Sequence, residues 1–220
     1  SAPLHSDVPR CMEHYGTGYG YIAYQSTLNR DYNDVELTFS EIGDRAQIYI
    51  NKNLVGIVYT NDEKLSVKIT ASKGDVLTIL CENMGRTNFG PKMMKKKGIA
   101  GRCLIDDRIH FNWSVYPLPM DNLGLLTFGD KKAEEKSVFY KGYLNVDEAK
   151  DTFLRLDNFT KGFVVINGFN IGRYWEIGPQ KTLYIPASLL HEGENEIVVF
   201  ESDGIKGTPE VEFCDKPVLE

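Results

Sequence analysis

The chain has 220 residues, with 42% hydrophobic residues and a formal net charge of −6. This acidic balance argues against a protein that holds nucleic acid, because that task requires an excess of Lys and Arg on one face. No apolar run is long enough to span a bilayer, so we expect neither nucleic acid nor a membrane among the partners.

Alternating apolar and polar residues predict antiparallel strands in the first half of the chain. Their apolar positions run from Val35 to Phe39, Ala46 to Ile50, Leu65 to Ile69, Leu77 to Cys81 and Ile109 to Tyr116. Asn and Gly residues between these runs tolerate the positive φ that tight turns need. After the last run, Pro117 and Pro119 predict an end to sheet pairing, since proline has no backbone N–H to donate.

The second half of the chain has the same character. Further strands are predicted for Val138 to Leu144, Asp151 to Leu156, Gly162 to Asn167, Phe169 to Trp175, Lys181 to Ile185 and Glu196 to Glu201. Asn167-Gly168 is a strong signal for a tight hairpin turn. Helical periodicity never exceeds a turn or two, and its best candidates are Pro186 to Leu190 and Asp147 to Lys150. The pattern predicts an all-β protein built from sandwiches.

Two segments recur in the same order at an offset of about 115 to 120 residues. Ile50-Asn51 to Gly56 matches Ile166-Asn167 to Gly172, and Gly74 to Glu82 aligns without a gap on Gly193 to Glu201. A period of this size indicates two related domains in tandem. We predict a first β-domain at residues 1–118 and a second at 119–220, between which strands could be exchanged near the boundary.

The second half contains Asn167-Gly168-Phe169-Asn170-Ile171-Gly172-Arg173-Tyr174-Trp175, followed by Ile177 to Pro186. This run closely resembles the C-terminal signature of glycoside hydrolase family 35 β-galactosidases. The first half is similar to that family's landmarks in order: Met12-Glu13, Tyr19-Gly20-Tyr21, Asp44-Arg45-Ala46, Glu82 to Gly90, Lys97-Gly98-Ile99 and Trp113 to Leu118. The resemblance covers nearly the whole chain and implies two tandem jelly-roll sandwiches of the galactose-binding-domain type.

The resemblance also implies a function that this chain performs only in part. Family members hydrolyse terminal β-D-galactosyl residues with retention, using two glutamates on a (β/α)8 barrel that lies ahead of these modules. The chain has neither the length nor the βα alternation for that barrel, so we assign it no catalytic residue and expect it to be inactive alone. The implied partners are the barrel of the same polypeptide and a galactoside, without a cofactor or metal.

The candidate site is the loop that contains Arg86, Asn88 and Phe89, which the resemblance places at the barrel mouth. Phe89 could stack on a sugar ring or aglycone, while Arg86 and Asn88 bind hydroxyls or hold the loop. In the alternative, both polar residues bond backbone carbonyls and Phe89 fills a domain interface. The family often has Tyr at position 89, and Phe removes one possible hydrogen bond to sugar.

Two other functions stay open on the sequence alone. An autonomous carbohydrate-binding module for galactose-containing glycans needs an exposed aromatic platform, for which Tyr15, Tyr19 and Phe89 are the fair candidates. A purely structural adhesion pair needs no such platform. The start Ser1-Ala2-Pro3 carries neither an initiator Met nor a signal peptide and suggests an excised piece, so cytoplasmic and exported locations are not separated.

The remaining conspicuous residues have structural interpretations. Lys92 to Lys97 is expected to be a solvated loop, Gly172 to Trp175 a packed corner, and Trp113 a plug between domains. The histidines and cysteines show no spacing typical of a metal site, and Cys81 alternates with buried positions. No loop shows a recognisable set of calcium ligands.

Overall fold

The computed structural model describes residues 2–129 and 136–219. The chain divides into two compact units, Ser1–Asn122 and Leu123–Glu220. The strands of the first unit are β1 (Leu4–Ser6), β2 (Tyr21–Thr27), β3 (Tyr32–Phe39), β4 (Ile42–Gly43), β5 (Arg45–Ile50), β6 (Asn53–Tyr59), β7 (Ser66–Ala71), β8 (Val76–Glu82), β9 (Gly98–Ile99), β10 (Cys103–Ile105), β11 (Arg108–Ile109) and β12 (Trp113–Leu118). Those of the second are β13 (Val138–Val146), β14 (Thr152–Arg155), β15 (Lys161–Ile166), β16 (Phe169–Trp175), β17 (Thr182–Ile185), β18 (Gly193–Glu201) and β19 (Glu212–Cys214).

Helical structure in the described ranges is limited to short 3₁₀ turns. They lie at Met12–Tyr15, Pro91–Met94, Leu123–Leu125 and Ala187–Leu189. The last of these falls within the helical segment predicted at Pro186 to Leu190. The segment predicted at Asp147 to Lys150 has no helix, because four residues without a buried side chain cannot offset the cost of starting one.

The first unit is a sandwich of two antiparallel sheets. The larger sheet has the strand order β1-β12-β2-β8-β5-β6 and the smaller one β11-β10-β3-β7, while β4 and β9 form a short separate ladder. Apolar residues of both sheets, such as Ile48 and Ile79 from one and Leu37 and Ile69 from the other, belong to one buried core. The alternation in the sequence therefore marks the faces that the two sheets turn inward.

The second unit repeats this arrangement with fewer strands. Its sheets have the orders β13-β18-β15-β16 and β17-β14-β19. Leu154 and Leu183 from the smaller sheet share a buried core with Val164, Ile197 and Val199 from the larger. The all-β prediction, with two tandem jelly-roll sandwiches, is confirmed.

The internal repeat is visible in the strand order and in the register. The order β2-β8-β5-β6 of the first unit corresponds to β13-β18-β15-β16 of the second, and β10-β3-β7 corresponds to β19-β14-β17. The matching hairpins have a register shift at the same point, between Ile48 and Tyr49 and between Val164 and Val165. The two copies thus share a backbone irregularity as well as an order of strands.

A set of three side chains is also duplicated at one end of the repeated strands. It consists of a buried cation, an aromatic ring and a buried glutamate: Arg45, Tyr59 and Glu82 in the first unit, and Lys161, Trp175 and Glu201 in the second. The Arg45 guanidinium carbon lies 5.6 Å from the centre of the Tyr59 ring, and Lys161 Nζ lies 4.7 Å from that of Trp175. Each unit thus places a cation over an aromatic ring at the start of its central hairpin.

Asn167 and Gly168 have φ values of 49° and 82°, which confirms the tight hairpin turn between β15 and β16. The single strand predicted from Ile109 to Tyr116 is broken, because the chain leaves the ladder at residues 110–112, where Asn112 has a φ of 67°.

The prediction that Pro117 ends sheet pairing is wrong. Pro117 lies inside β12 and is paired with Ile22 on β2. On its other side, β1 pairs with β12 only as far as Val115. Because one side of the strand is open at Pro117, a residue without a backbone N–H is tolerated there.

Candidate functional site

The segment that carries Arg86, Asn88 and Phe89 joins β8 to β9, and we call residues 83–97 the rim loop. It leaves β8 after Glu82, contains the 3₁₀ turn Pro91–Met94 and re-enters the small ladder at Gly98. Phe89 is 86% exposed, whereas the last two residues of β8 and both residues of β9 are buried. The fold therefore holds the loop at its ends and presents its tip to solvent.

Arg86 is anchored rather than free. Its guanidinium lies 2.8 Å from Glu13 Oε1 and 3.5 Å from the carbonyl oxygen of Gly18. Glu13 also accepts the backbone N–H of Lys97, at 3.2 Å, so one carboxylate ties the two arms of the rim loop together. Partial burial alone would raise the pKa of Glu13, but the hydrogen bonds from Arg86 and from backbone N–H groups outweigh it and leave this pKa lowered.

Lys97 forms the second anchor, at the base of the rim loop. Its ammonium group lies 2.6 Å from Asp44 Oδ2 and also donates to the carbonyl oxygen of Gly85. The same Asp44 oxygen accepts the backbone N–H of Met84, at 2.8 Å. A single buried ion pair therefore connects both arms of the loop to the residue before β5.

Burial of Lys97 corrects the expectation for the basic run. Lys97 is only 4% exposed, whereas Lys92 and Lys96 are exposed as expected for a solvated loop. The last lysine is buried because its charge is compensated by Asp44 and by a backbone carbonyl, which is the condition for burying an ammonium group. The run thus ends at a buried position of the first unit.

Asn83 adds a third contact that sequence reasoning missed. Its side-chain N–H donates to the carbonyl oxygen of Gly18 at 2.9 Å, and its side-chain oxygen accepts the backbone N–H of Gly85 at 3.0 Å. The anchoring residues Glu13, Asp44 and Lys97 all lie in the landmark motifs noted in the sequence. The landmarks were recognisable, but no local pattern indicated that they contact one another around one loop.

The other two predicted site residues lie at the exposed part of the loop. Asn88 and Phe89 make no hydrogen bond with any residue that the structure describes, and both are exposed. Arg86, Asn88 and Phe89 therefore share one loop but have different surroundings. Arg86 holds the loop in place, while Asn88 and Phe89 are available to a ligand or a partner.

Of the other aromatic candidates, Tyr19 is 56% exposed and its hydroxyl donates to Asp121 at 2.7 Å. Tyr15 packs against the core of the first unit, so it is not the exposed aromatic platform that a carbohydrate-binding module needs. Tyr174, in the predicted packed corner, is buried and donates to the carbonyl oxygen of Phe200 at 2.8 Å. Trp113 lies in the core of the first unit, where its indole N–H donates to the carbonyl oxygen of His110.

The carboxylates around the rim loop are occupied with positioning the chain. Glu13 and Asp44 each bind a cation and at least one backbone N–H, an arrangement suited to fixing a loop. Within residues 2–129 and 136–219, no group of three or more His, Cys, Asp or Glu side chains is placed to hold a metal ion. Over the same ranges, no helix has the length and apolar character needed to cross a membrane.

Comparison with protein families matches residues 9–119, half of the chain, to the first all-β domain of β-galactosidase. Residues 137–195 match the galactose-binding domain of β-galactosidase. The chain belongs to the β-galactosidase family. The resemblance predicted from the sequence, to the non-catalytic β-domains of this family, is confirmed.

Curated β-galactosidases match along almost the whole chain. β-Galactosidase 1 of Dictyostelium discoideum is 32% identical and covers 99% of the chain, and β-galactosidase of Bos taurus is 34% identical and covers 100%. β-Galactosidase-1-like protein 2 of Homo sapiens is 33% identical over 99%. The chain spans 36%, 38% and 35% of the length of these three relatives, respectively.

Among solved structures, a lectin from Pleurotus ostreatus aligns over the whole chain, at 10% identity and a TM-score of 0.29. A score this low carries no argument about fold or ligand.

Proposed function

We propose that the chain provides the non-catalytic β-domains of a retaining β-galactosidase, in which they support the catalytic barrel and shape the substrate entrance. Retention requires two carboxylates about 5 Å apart, and in this proposal the barrel supplies both. Family membership supports the enzyme class, and the exposure of Phe89 on an anchored loop supports the role at the entrance.

The chemistry of the rim loop divides into an anchor and a contact surface. Arg86 is engaged by Glu13, so its contribution is to fix the position of the loop. Phe89 offers a flat apolar ring, suited to the apolar face of a sugar or to the group attached to it. Asn88 has donors and an acceptor for hydroxyl groups. In the proposed enzyme, Phe89 and Asn88 therefore contact the substrate beyond the reacting galactose.

The test is Phe89→Ala in the complete polypeptide, with kcat/KM measured for galactosides of several linkages. An aromatic contact is worth about 0.5–1.5 kcal/mol, so we expect losses of roughly twofold to tenfold that differ between linkages. Met94→Ala is the matched control, because Met94 is 80% exposed on the same loop but lies outside the proposed contact surface. Wild-type kcat/KM for every linkage in the Phe89 variant would leave the domains as a scaffold alone.

A second candidate is an autonomous carbohydrate-binding module, which the exposure of Tyr19 and Phe89 favours. Here the 220-residue chain alone would bind galactose or β-galactosyl disaccharides. An NMR titration of amide shifts up to millimolar sugar separates the two candidates. Saturable shifts near Tyr19 and Phe89 support the module, whereas the absence of shifts supports sugar recognition only in the presence of the barrel.

A further inference from the structure

A second surface of the first unit, apart from the rim loop, carries an unusual concentration of positive charge. It is a cleft of about 500 Å³ lined by residues 8–11, His14, Ser40 and residues 100–102. Arg10, His14 and Arg102 line it, and no Asp or Glu is among its lining residues in the described part of the chain. The protein as a whole has a net charge of −6, whereas this cleft is lined only by cationic and neutral groups, so its local charge is positive.

Unlike Arg30, Arg45 and Arg86 of the same unit, these two arginines have no acidic partner among the described residues. Arg30, Arg45 and Arg86 each lie within 4 Å of a carboxylate oxygen. For Arg10 and Arg102, by contrast, no ion pair is formed with any residue in the described ranges, and both side chains are exposed. Their charges are therefore available to an anion from solution.

The backbone under both arginines is fixed, although their side chains are exposed. The buried Tyr24 hydroxyl donates to the carbonyl oxygen of Arg10 at 2.6 Å. Arg102 is bound twice by Ser40, whose hydroxyl accepts the Arg102 N–H at 2.6 Å and whose own N–H donates to the Arg102 carbonyl at 2.9 Å. Both arginines thus line the cleft from backbone positions that are held by hydrogen bonds.

The cleft floor is also closely packed. At Gly101, a Cβ atom would lie 2.2 Å from the Ser40 hydroxyl oxygen and 3.4 Å from the Cβ of Glu41, so any side chain there requires Ser40 to shift. A side chain at this position would displace Ser40, which holds Arg102. The absence of a side chain at Gly101 therefore keeps the floor intact.

We propose that this cleft binds a small oxyanion, a sulfate, phosphate or carboxylate group, through the guanidinium groups of Arg10 and Arg102, with His14 beside them. Guanidinium forks match the oxygen spacing of such groups and form charge-assisted hydrogen bonds with them. The anion is either a free ion or an acidic substituent of a glycan. The site takes no part in the proposed action of the rim loop, because none of residues 83–97 lines the cleft.

The experiment is an NMR titration of the 220-residue chain with sodium sulfate, against sodium chloride at equal ionic strength. We expect saturable amide shifts confined to the cleft, around Cys11, Gly101 and Arg102, with sulfate and not with chloride. Equal shifts with both salts would overturn the proposal, since they would report general screening of charge.

Variants test which residues bind the anion. The double variant Arg10→Gln/Arg102→Gln is expected to weaken sulfate binding at least about tenfold, which corresponds to about 1.4 kcal/mol. Arg108→Gln is the control, because it removes the same charge from an exposed position outside the cleft lining. Unchanged affinity in the double variant, or an equal loss in the control, would refute the assignment. A native-like spectrum of the double variant shows that the fold is retained.

A second titration distinguishes the two sources of the anion. Galactose 6-sulfate is compared with inorganic sulfate and with unmodified galactose. Tighter binding of the sulfated sugar than of sulfate supports a glycan substituent as the ligand, and equal binding supports a free oxyanion. Binding of unmodified galactose at the same residues with the same affinity would contradict recognition through the charge.

Discussion

Replacement of Lys97 by Met removes the cation at the base of the rim loop while retaining most of the side chain's length. Asp44 then keeps its hydrogen bond from Met84 but loses the ammonium group that lies 2.6 Å away. The side chains of Lys97 and Asp44 are only 5% and 14% exposed, so water compensates little of the loss. Removing one partner of a buried ion pair costs about 3–5 kcal/mol. Because Asp44 keeps the hydrogen bond from the Met84 N–H, we expect a loss at the lower end of this range, about 3 kcal/mol.

The free energy of unfolding of the first unit is measured in urea, using the indole N–H resonance of Trp113, which lies in that unit's core. With an m value of about 2 kcal/mol/M, a loss of about 3 kcal/mol lowers the urea midpoint by about 1.5 M. A probe within one unit is needed because two tandem domains need not unfold together.

Lys68→Met provides a matched control. Lys68 and Asp34 also form an ion pair at 2.6 Å, but their side chains are 61% and 66% exposed. Because exposed pairs contribute little, we expect no resolvable change in the urea midpoint. Equal effects of the two variants would refute the argument that burial gives the Lys97 pair its importance. If an unpaired charge causes the loss, Asp44→Asn/Lys97→Met should recover part of the stability that Lys97→Met loses.

Three further predictions concern the anchors, the packing and a buried thiol. Arg86→Gln should raise the lowered pKa of Glu13 toward 4.5, as followed by the carboxyl ¹³C resonance of Glu13. The stability that Glu13 contributes is present above pH 4.5 and is lost as the pH falls through its lowered folded pKa. An unchanged pKa in the variant would show that Arg86 does not lower the pKa of Glu13. Gly162→Ala should lower the urea midpoint of the second unit strongly, because a Cβ there would lie 1.7 Å from a backbone oxygen. Gly142→Ala, with no neighbouring atom of the described residues within 4 Å of its Cβ, should leave the midpoint nearly unchanged. Similar midpoints for the two variants would contradict the packing argument. Cys81, whose pKa is raised by burial, should resist iodoacetamide in the native protein and react in denaturant, and native labelling detected by peptide mass spectrometry would show that it is accessible.

Much of the fold could be predicted because its determinants are local. The alternation around Leu77, Ile79 and Cys81 reflects the two-residue period of a strand, and these side chains are buried in the structure. Asn167 and Gly168 tolerate positive φ as individual residues, so their turn is also visible in a short stretch of sequence. The resemblance to a known family then predicted the connectivity of the strands, which local patterns cannot determine.

The anchors of the candidate site could not be predicted in the same way, because they depend on pairing across the chain. Glu13 and Arg86 are 73 residues apart, and Asp44 and Lys97 are 53 apart. Within its own run, Lys97 is indistinguishable from the solvated lysines before it. Pro117 is similar, since its tolerance depends on where β1 stops pairing. In each case the deciding partner belongs to a distant part of the sequence.

The internal repeat of strand order and register affects how the chain reaches its native state. Two tandem units with the same strand order and the same register shift offer each hairpin an alternative partner of suitable geometry, and misassembly between similar tandem domains is a known hazard. The repeated three-residue set differs in side-chain shape, however, because Arg45 and Tyr59 of the first unit correspond to Lys161 and Trp175 of the second. An exchanged strand would pair each glutamate with a cation suited to the other copy. We expect divergence at these positions to disfavour wrong pairings between the two units.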